Sequence, residues 1–182
     1  MSGERRVAGD SILVRNASEV LFVLTAGTDY WGGEPESACM ADLVKATAND
    51  YEAARMAHID DYRSLYKRVS FGLGGDDCSE IPTDKRLKAV QEGAEDNGLV
   101  VTYFNFGRYL LISSSRPGDL AANLQGIWAD GLTPPWSADY HININIQMNY
   151  WPAEVTNLSE CHLPFVALID SLRRHGRETA RQ

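Results

Sequence analysis

The pattern of hydrophobic positions predicts a β-hairpin near the start of the chain. Residues 11–26 read SILVRNASEVLFVLTA, in which two runs rich in Val and Leu flank the turn-forming residues RNAS. Two apolar runs separated by such residues are typical of a hairpin. Because two strands alone have little stability in water, we expect this hairpin to be the last part of a larger β-sheet.

Helical spacing follows the hairpin. Residues 41–68 are predicted to form one helix, because apolar and aromatic side chains recur there at intervals of three and four residues. This stripe consists of Tyr51, Ala54, His58, Tyr62 and Leu65. We interpret His58 as a packed helix histidine rather than a ligand. A shorter helix is predicted for residues 83–91, with Thr83 as its N-cap.

Two more helices are predicted further along the chain. Residues 99–114 carry apolar side chains on nearly every face, which is typical of a helix enclosed by other helices. Arg108 within this helix therefore needs a hydrogen-bonding partner or access to the surface. Residues 163–179 are predicted to form the final helix, with one apolar face. Because few other helices are predicted, we expect part of the 99–114 helix to stay uncovered.

Between these helices, polar and apolar residues alternate from His141 to Ile146. In an extended backbone, His141, Asn143 and Asn145 would point to one face and the isoleucines to the other. Such a row of polar side chains could hold the hydroxyl groups of a sugar or a water molecule. The alternative is a half-exposed edge strand with solvated amides.

The composition around this segment indicates the class of ligand. Three of the four tryptophans, Trp128, Trp136 and Trp151, lie within residues 123–160, and residues 117–172 contain no Lys or Arg. Aromatic faces and neutral amides suit a neutral ligand rich in hydroxyl groups, whereas a phosphate or nucleic-acid site would need cationic groups. The segment therefore indicates a carbohydrate site, with a polar loop around core tryptophans as the alternative.

The overall composition excludes several function classes. A net charge of -8 argues against general binding to nucleic acid or to an anionic membrane. The three cysteines form no CxxC pair and no HExxH motif occurs, so we expect no metal and no cofactor. No apolar run approaches the roughly 20 residues of a membrane helix. The first residues lack the apolar core of a signal peptide, so the sequence leaves the compartment unassigned.

Two blocks of sequence are specific enough to indicate a family. Residues 107–118 read GRYLLISSSRPG and residues 143–154 read NINIQMNYWPAE. Together with the upstream segments TAGTDYWGG, HIDDYRSLYKRVSFGLGG and PTDKRL, they resemble glycoside hydrolase family 95, whose founding members are 1,2-α-L-fucosidases. The resemblance covers nearly the whole chain.

The resemblance implies a mainly α fold made of parts of two domains and the linker between them. Residues 1–36 would be the C-terminal end of an N-terminal β-sandwich, truncated to its last hairpin. Residues 37–80 would be a helical linker. Residues 81–182 would be the N-terminal part of an (α/α)6 toroid barrel, with residues 99–114 as its first inner helix. On this plan the chain is an internal fragment and the remainder of the polypeptide is missing.

The resemblance also implies a reaction. The family hydrolyses terminal α-L-fucosyl residues of oligosaccharides with inversion, and its water-holding asparagines match Asn143 and Asn145. The general acid is a glutamate later in the barrel, without a counterpart here, so we expect the isolated chain to be inactive. His141 matches a position that contacts the sugar in fucose-selective members, whereas members that prefer galactose-type sugars can carry Thr there. The substrate would be a fucosylated glycan, and export of the full-length protein is expected of bacterial members.

Other polar and aromatic residues are assigned to the site by position alone. The predicted substrate-binding residues are Trp128, Trp136, Asn123, Gln125 and Glu154. Asp139 and Glu154 would otherwise be the natural acid–base pair, but the resemblance argues against either as the principal acid. The alternatives are an α-L-galactosidase of the same family, a non-catalytic carbohydrate-binding module, and a structural remnant.

Overall fold

A computed structural model describes residues 3–30 and 32–182. The chain divides into two compact units, Met1–Asp60 and Asp61–Gln182, which we call the N-terminal and C-terminal units. The described residues are mainly helical, with one two-stranded antiparallel sheet. Among them, no helix has the length and the hydrophobicity that crossing a membrane requires.

The predicted hairpin exists, but one of its strands was placed wrongly. Strand β1, Glu4–Ala8, pairs with β2, Ser11–Arg15, so that Ala8 lies opposite Ser11. Gly9 has a φ of 59° in the two-residue turn, as the first position of a type II′ turn requires. Residues 19–26, predicted as the partner strand, are not a strand. This tight turn pairs β2 with the preceding residues instead.

The long helix predicted for residues 41–68 is two helices, α1 (Pro35–Thr47) and α2 (Tyr51–Tyr66). The side chain of Asp50 accepts a hydrogen bond of 2.7 Å from the backbone N–H of Ala53, and this N-cap starts a new helix. Of the α2 residues, only Leu65 is buried. His58 is exposed, so the expectation that it packs against a core is wrong.

The C-terminal unit contains four further helices: α3 (Thr83–Gln91), α4 (Asn97–Ser114), α5 (Asn145–Val155) and α6 (Leu163–Thr179). The bounds of α3 and α6 agree with the prediction. However, Pro82 occupies the N-cap of α3, so Thr83 is not the cap. Helix α4 begins earlier than predicted because the Asp96 side chain accepts a 2.8 Å hydrogen bond from the backbone N–H of Leu99.

The described hydrophobic core lies in the C-terminal unit, where α4, α5, α6 and the end of α2 meet. Its buried members are Leu65, Leu111, Ile112, Ala121, Ala122, Ile146, Tyr150, Ala153, Leu158, Cys161 and Leu168. Only one side of α4 is buried, and Val100, Tyr103, Phe106 and Leu110 are exposed. The expectation that the chain leaves this helix partly uncovered is therefore confirmed for the described residues.

Arg108 on α4 finds its partners at the end of α2. Its guanidinium donates to the backbone carbonyls of Tyr66 at 2.8 Å and Leu65 at 3.1 Å, and only 1% of the residue is exposed. The last carbonyls of a helix lack partners within the helix and carry partial negative charge, so a buried cation is well placed there. This contact connects α4 to α2 within the core.

Candidate functional site

An open cleft of about 520 Å³ lies in the C-terminal unit, between one side of α4 and the segment 121–128, which we call the cleft loop. Three of the predicted substrate-binding residues line it: Asn123, Gln125 and Trp128. The cleft is also lined by Gly107, Tyr109, Leu110, Leu111, Ser113, Ser114, Ala122, Leu124, Gly126, Ile127 and Asn149. Of the described residues that line the cleft, none is charged.

The tip of the cleft loop is a tight turn. The backbones of Asn123 and Gly126 exchange two hydrogen bonds of 3.1 Å, and the Asn123 side chain accepts a bond of 2.7 Å from the Gln125 N–H. Gly126 has a φ of 81°, and a Cβ added there would lie 3.3 Å from the Cβ of Ser114. The positive φ therefore favours glycine, and a side chain at this position would also crowd Ser114 on α4.

Side chains from elsewhere in the unit hold the backbone of the cleft loop. The hydroxyl of Tyr140 donates to the carbonyl of Ala121 at 3.1 Å. The hydroxyl of Tyr150 accepts from the N–H of Ala122 at 2.8 Å. The side-chain amide of Asn149 donates to the carbonyl of Asn123 at 3.1 Å, and approaches that of Ala122 at 3.4 Å. The loop is thus fixed to α5 and to the residues just before it.

A buried pair of hydroxyl groups lies behind the loop. Ser115 Oγ donates to the carbonyl of Cys161 at 2.7 Å and lies 2.7 Å from the hydroxyl of Tyr150. Because the single Ser115 proton is used, the Tyr150 hydroxyl donates to Ser115. Burial raises the pKa of Tyr150, although its hydrogen bonds with Ser115 and Ala122 act in the opposite direction. The phenol is therefore neutral at ordinary pH.

The segment 141–146 is not the extended strand that its alternation predicted. His141 has a φ of 43°, residues 142–144 form a turn, and α5 begins at Asn145. Ile146 is 1% exposed, whereas Ile142 and Ile144 are exposed, so the isoleucines do not form one apolar wall. Ile146 belongs to a helical series with Tyr150 and Ala153, which are also buried. Burying this series determines the backbone here.

The structure places the two candidate water-holding asparagines at the start of α5. Asn143 is exposed in the turn, and Asn145 is the half-buried first residue of the helix. Neither lines the cleft. Asn145 and Asn149 are four residues apart in one helix, so they lie on the same side, separated by about 6 Å along the axis. Because Asn149 lines the cleft, α5 connects the cleft to Asn145.

His141 and Trp136 lie in the segment that connects the cleft loop to α5. The Asp139 carboxylate accepts a hydrogen bond of 3.1 Å from the backbone N–H of His141 and also contacts its ring nitrogen Nδ1. The Asp139 carbonyl accepts from the N–H of Leu124 at 3.2 Å, which connects this turn to the cleft loop. Trp136 is 73% exposed and has a φ of 49°, the first of three consecutive residues with positive φ. Non-glycine residues with a positive φ have a strained backbone, and such strain occurs most often at functional sites.

Glu154 is held by neighbours outside the cleft. One carboxylate oxygen lies 2.9 Å from His162 Nδ1, and the other accepts a hydrogen bond of 2.5 Å from Ser159. These hydrogen bonds, chiefly that from Ser159, lower the pKa of Glu154. A general acid needs a raised pKa, so this environment opposes that role. Within residues 3–30 and 32–182, no three His, Cys, Asp or Glu side chains group closely enough to hold a metal ion.

Sequence reasoning missed several residues that line the cleft, among them Tyr109, Ser114 and Asn149. Tyr109 and Ser114 lie in a helix that was expected to be enclosed, so their exposure to a cleft was not anticipated. Asn149 had a usable signal, because its spacing of four from Asn145 places both on one side of a helix. That signal is visible only if α5 is extended back to Asn145.

Comparisons with known proteins agree on one family. Residues 50–182 match the family described as Glycosyl hydrolase family 95 catalytic domain. The chain is 35% identical to "Alpha-L-fucosidase 2" of Arabidopsis thaliana, with 96% of the chain and 22% of that protein covered. It is 33% identical to "Probable alpha-fucosidase A" of Aspergillus niger, with 89% of the chain and 22% of that protein covered.

A protein of the same name from Aspergillus oryzae is 34% identical, and the match covers 93% of the chain and 26% of that protein. The chain thus spans about a quarter or less of the length of these curated relatives. The matches cover nearly the whole chain and include the cleft and both candidate asparagines. The chain belongs to glycosyl hydrolase family 95, by a match to the catalytic-domain model of that family over residues 50–182.

Proposed function

We propose that the complete translation product containing this segment hydrolyses terminal α-L-fucosyl residues of oligosaccharides with inversion at the anomeric carbon. The observation that carries the proposal is the cleft, whose described lining consists of amides, hydroxyls, aromatic rings and aliphatic groups without a charged side chain. Such a lining suits a neutral glycan, because amides donate to and accept from hydroxyl groups while an indole covers an apolar sugar face. The names of the relatives supply the choice of fucose.

The proposed role of Asn143 and Asn145 is to orient the attacking water. A side-chain amide is a poor base, so it would hold the water through its carbonyl oxygen while a carboxylate outside the segment takes the proton. A carboxylic acid, also outside the segment, would protonate the leaving oxygen. Inverting enzymes hold their two catalytic groups roughly 6.5–9.5 Å apart to leave space for this water. Residues 1–182 alone are therefore expected to hydrolyse no fucoside.

His141 is proposed to contact the sugar and to favour fucose over galactose. Its contact with Asp139 supports this role, because a carboxylate on Nδ1 orients the ring and leaves Nε2 as the nitrogen for a sugar hydroxyl. Replacing His141 by Thr should shift the preference toward α-L-galactosides. We also propose Trp128, Trp136, Asn123, Gln125 and Glu154 as substrate-binding residues, among which Glu154 has the weakest support because its carboxylate is already engaged.

The segment is proposed to contribute to two domains of the complete protein and to the linker between them. Residues 1–36 would end a β-sandwich, residues 37–80 would be a helical linker, and residues 81–182 would begin the (α/α)6 barrel. The hairpin and the one-sided burial of α4 support this plan, since each has apolar surface exposed within its unit. In the complete protein, the rest of the β-sandwich and of the barrel would cover these apolar surfaces.

The proposal is tested by measuring fucose released from 2'-fucosyllactose by the complete translation product and its variants. Asn143→Ala and Asn145→Ala should each lower kcat by about 10²- to 10³-fold, because the water loses its orienting group. Asn49→Ala is the matched control, since Asn49 is exposed in the N-terminal unit, and it should keep normal activity.

If both variants kept the activity of the wild type, the two asparagines would have no role in the mechanism. Binding of the glycan without any hydrolysis would instead favour a carbohydrate-binding module. Preferential release of galactose would favour an α-L-galactosidase of the same family.

A further inference from the structure

One side chain, Tyr150, connects the cleft loop to the helix that carries Asn145. Its hydroxyl accepts the N–H of Ala122 in the cleft loop at 2.8 Å and donates to Ser115, at the end of α4, at 2.7 Å. Tyr150 lies in α5, five residues after Asn145, and is 3% exposed. We infer that Tyr150 is a positioning residue, which sets the cleft loop against Asn145. This inference rests on the proposed function.

The direction of each hydrogen bond around this hydroxyl is determined by the chemistry of its neighbours. Ser115 has one proton and donates it to the carbonyl of Cys161, so Tyr150 must donate to Ser115. A lone pair of the phenol then accepts the N–H of Ala122. Ala122 is only 4% exposed, and leaving its buried N–H without an acceptor would destabilise the fold. The hydroxyl therefore has one orientation, which fixes the position of Ala122.

The ring of Tyr150 is held separately from its hydroxyl. It stacks on Phe165 with centroids 4.9 Å apart and an interplanar angle of 12°, and on His162 at 5.7 Å. These contacts are between ring faces and do not involve the phenolic oxygen. A Tyr150→Phe variant consequently keeps the packing of the ring and removes only the contacts to the loop and to Ser115.

Asn149, the neighbour of Tyr150, reinforces the same contact and also lines the cleft. It donates to the carbonyl of Asn123, so α5 holds this carbonyl as well as the N–H of Ala122. The part of the glycan beyond the fucosyl residue would lie in the cleft, against Gln125 and Trp128. Tyr150 therefore affects how this leaving-group saccharide is aligned with the reacting bond. A small aryl leaving group does not fill the cleft. Hydrolysis of an aryl fucoside therefore depends less on Tyr150.

The test compares two substrates, 2'-fucosyllactose and 4-nitrophenyl α-L-fucoside, in the complete translation product. Tyr150→Phe should lower kcat/KM for fucosyllactose by about tenfold, mostly through KM, and change that for the aryl fucoside by less than about threefold. The control is Tyr51→Phe, an exposed tyrosine of the N-terminal unit, which should alter neither value. Hydrogen exchange at the Ala122 amide should also be about tenfold faster in Tyr150→Phe.

The outcomes separate this inference from the proposed function. Equal losses on both substrates, or no loss on either, would overturn the positioning role while leaving the fucosidase proposal intact. Unchanged exchange at Ala122 would also overturn it, since the hydrogen bond would then not hold the loop. A wild-type protein that hydrolyses neither substrate would overturn the proposed function and this inference with it.

Discussion

The hydroxyl of Ser115 lies 2.7 Å from that of Tyr150, and both residues are buried in the core of the C-terminal unit. Ser115→Ala would leave the carbonyl of Cys161 without its donor and the Tyr150 hydroxyl without its acceptor. We expect the free energy of unfolding to fall by about 1–3 kcal/mol, the usual cost of burying unpaired polar groups. Denaturant unfolding measures it, and Ser113→Ala on the exposed side of α4 is the control. A loss equal to that of the control would show that the pair contributes nothing.

Arg108 is predicted to stabilise the junction of α4 with α2. Arg108→Ala removes both donors to the last carbonyls of α2 and leaves a cavity where a nearly fully buried side chain lay. The expected loss of unfolding free energy is about 2–4 kcal/mol, from the hydrogen bonds and the cavity together. Arg174→Ala, on the exposed surface of α6, should change stability by less than about 0.5 kcal/mol. Comparable losses in the two variants would contradict the prediction.

The pair of Arg86 and Asp96 predicts how stability depends on acid. Two hydrogen bonds of 2.8 Å from Arg86, together with the N–H of Leu99, lower the pKa of Asp96 to about 2. Because the folded pKa lies below the unfolded one, this stabilisation is complete above roughly pH 4. It is lost progressively as the pH falls toward 2.

Thermal unfolding followed between pH 2 and pH 6 checks this prediction. Asp96→Asn should flatten the acid limb of the stability profile, whereas Asp130→Asn, on an exposed loop, should leave its shape unchanged. The same acid limb in wild type and Asp96→Asn would show that other carboxylates govern the transition.

The sequence predicted the helices whose termini carry strong local signals. The bounds of α3 and α6 were correct because a proline lies at the N-terminus of each helix and, in α6, because apolar residues recur on one face. The break between α1 and α2 was missed because it depends on a single side chain, Asp50, acting as an N-cap within an otherwise helical pattern. Strand β1 pairs with β2 because of the turn at Gly9. This turn lies outside residues 19–26, the more apolar run that was predicted as the partner strand.

Much of the candidate site could not be read from local patterns. The alternation from His141 to Ile146 predicted a strand, but burial of Ile146 with Tyr150 favours a turn at residues 142–144 followed by α5. The cleft loop is held by side chains that lie more than 18 residues away in sequence, as the bond between Tyr140 and Ala121 shows. Such contacts require a known tertiary arrangement. The family resemblance, carried by two short blocks, was confirmed by the comparisons.

The most direct test of the central claim follows the hydrolysis of 2'-fucosyllactose by proton NMR, with the complete translation product at high concentration. The account predicts that β-L-fucose accumulates first and that the α anomer follows by mutarotation, as inversion of an α-linkage requires. Initial release of α-L-fucose would contradict the single-displacement mechanism, and the absence of any fucose would contradict the assignment of this activity.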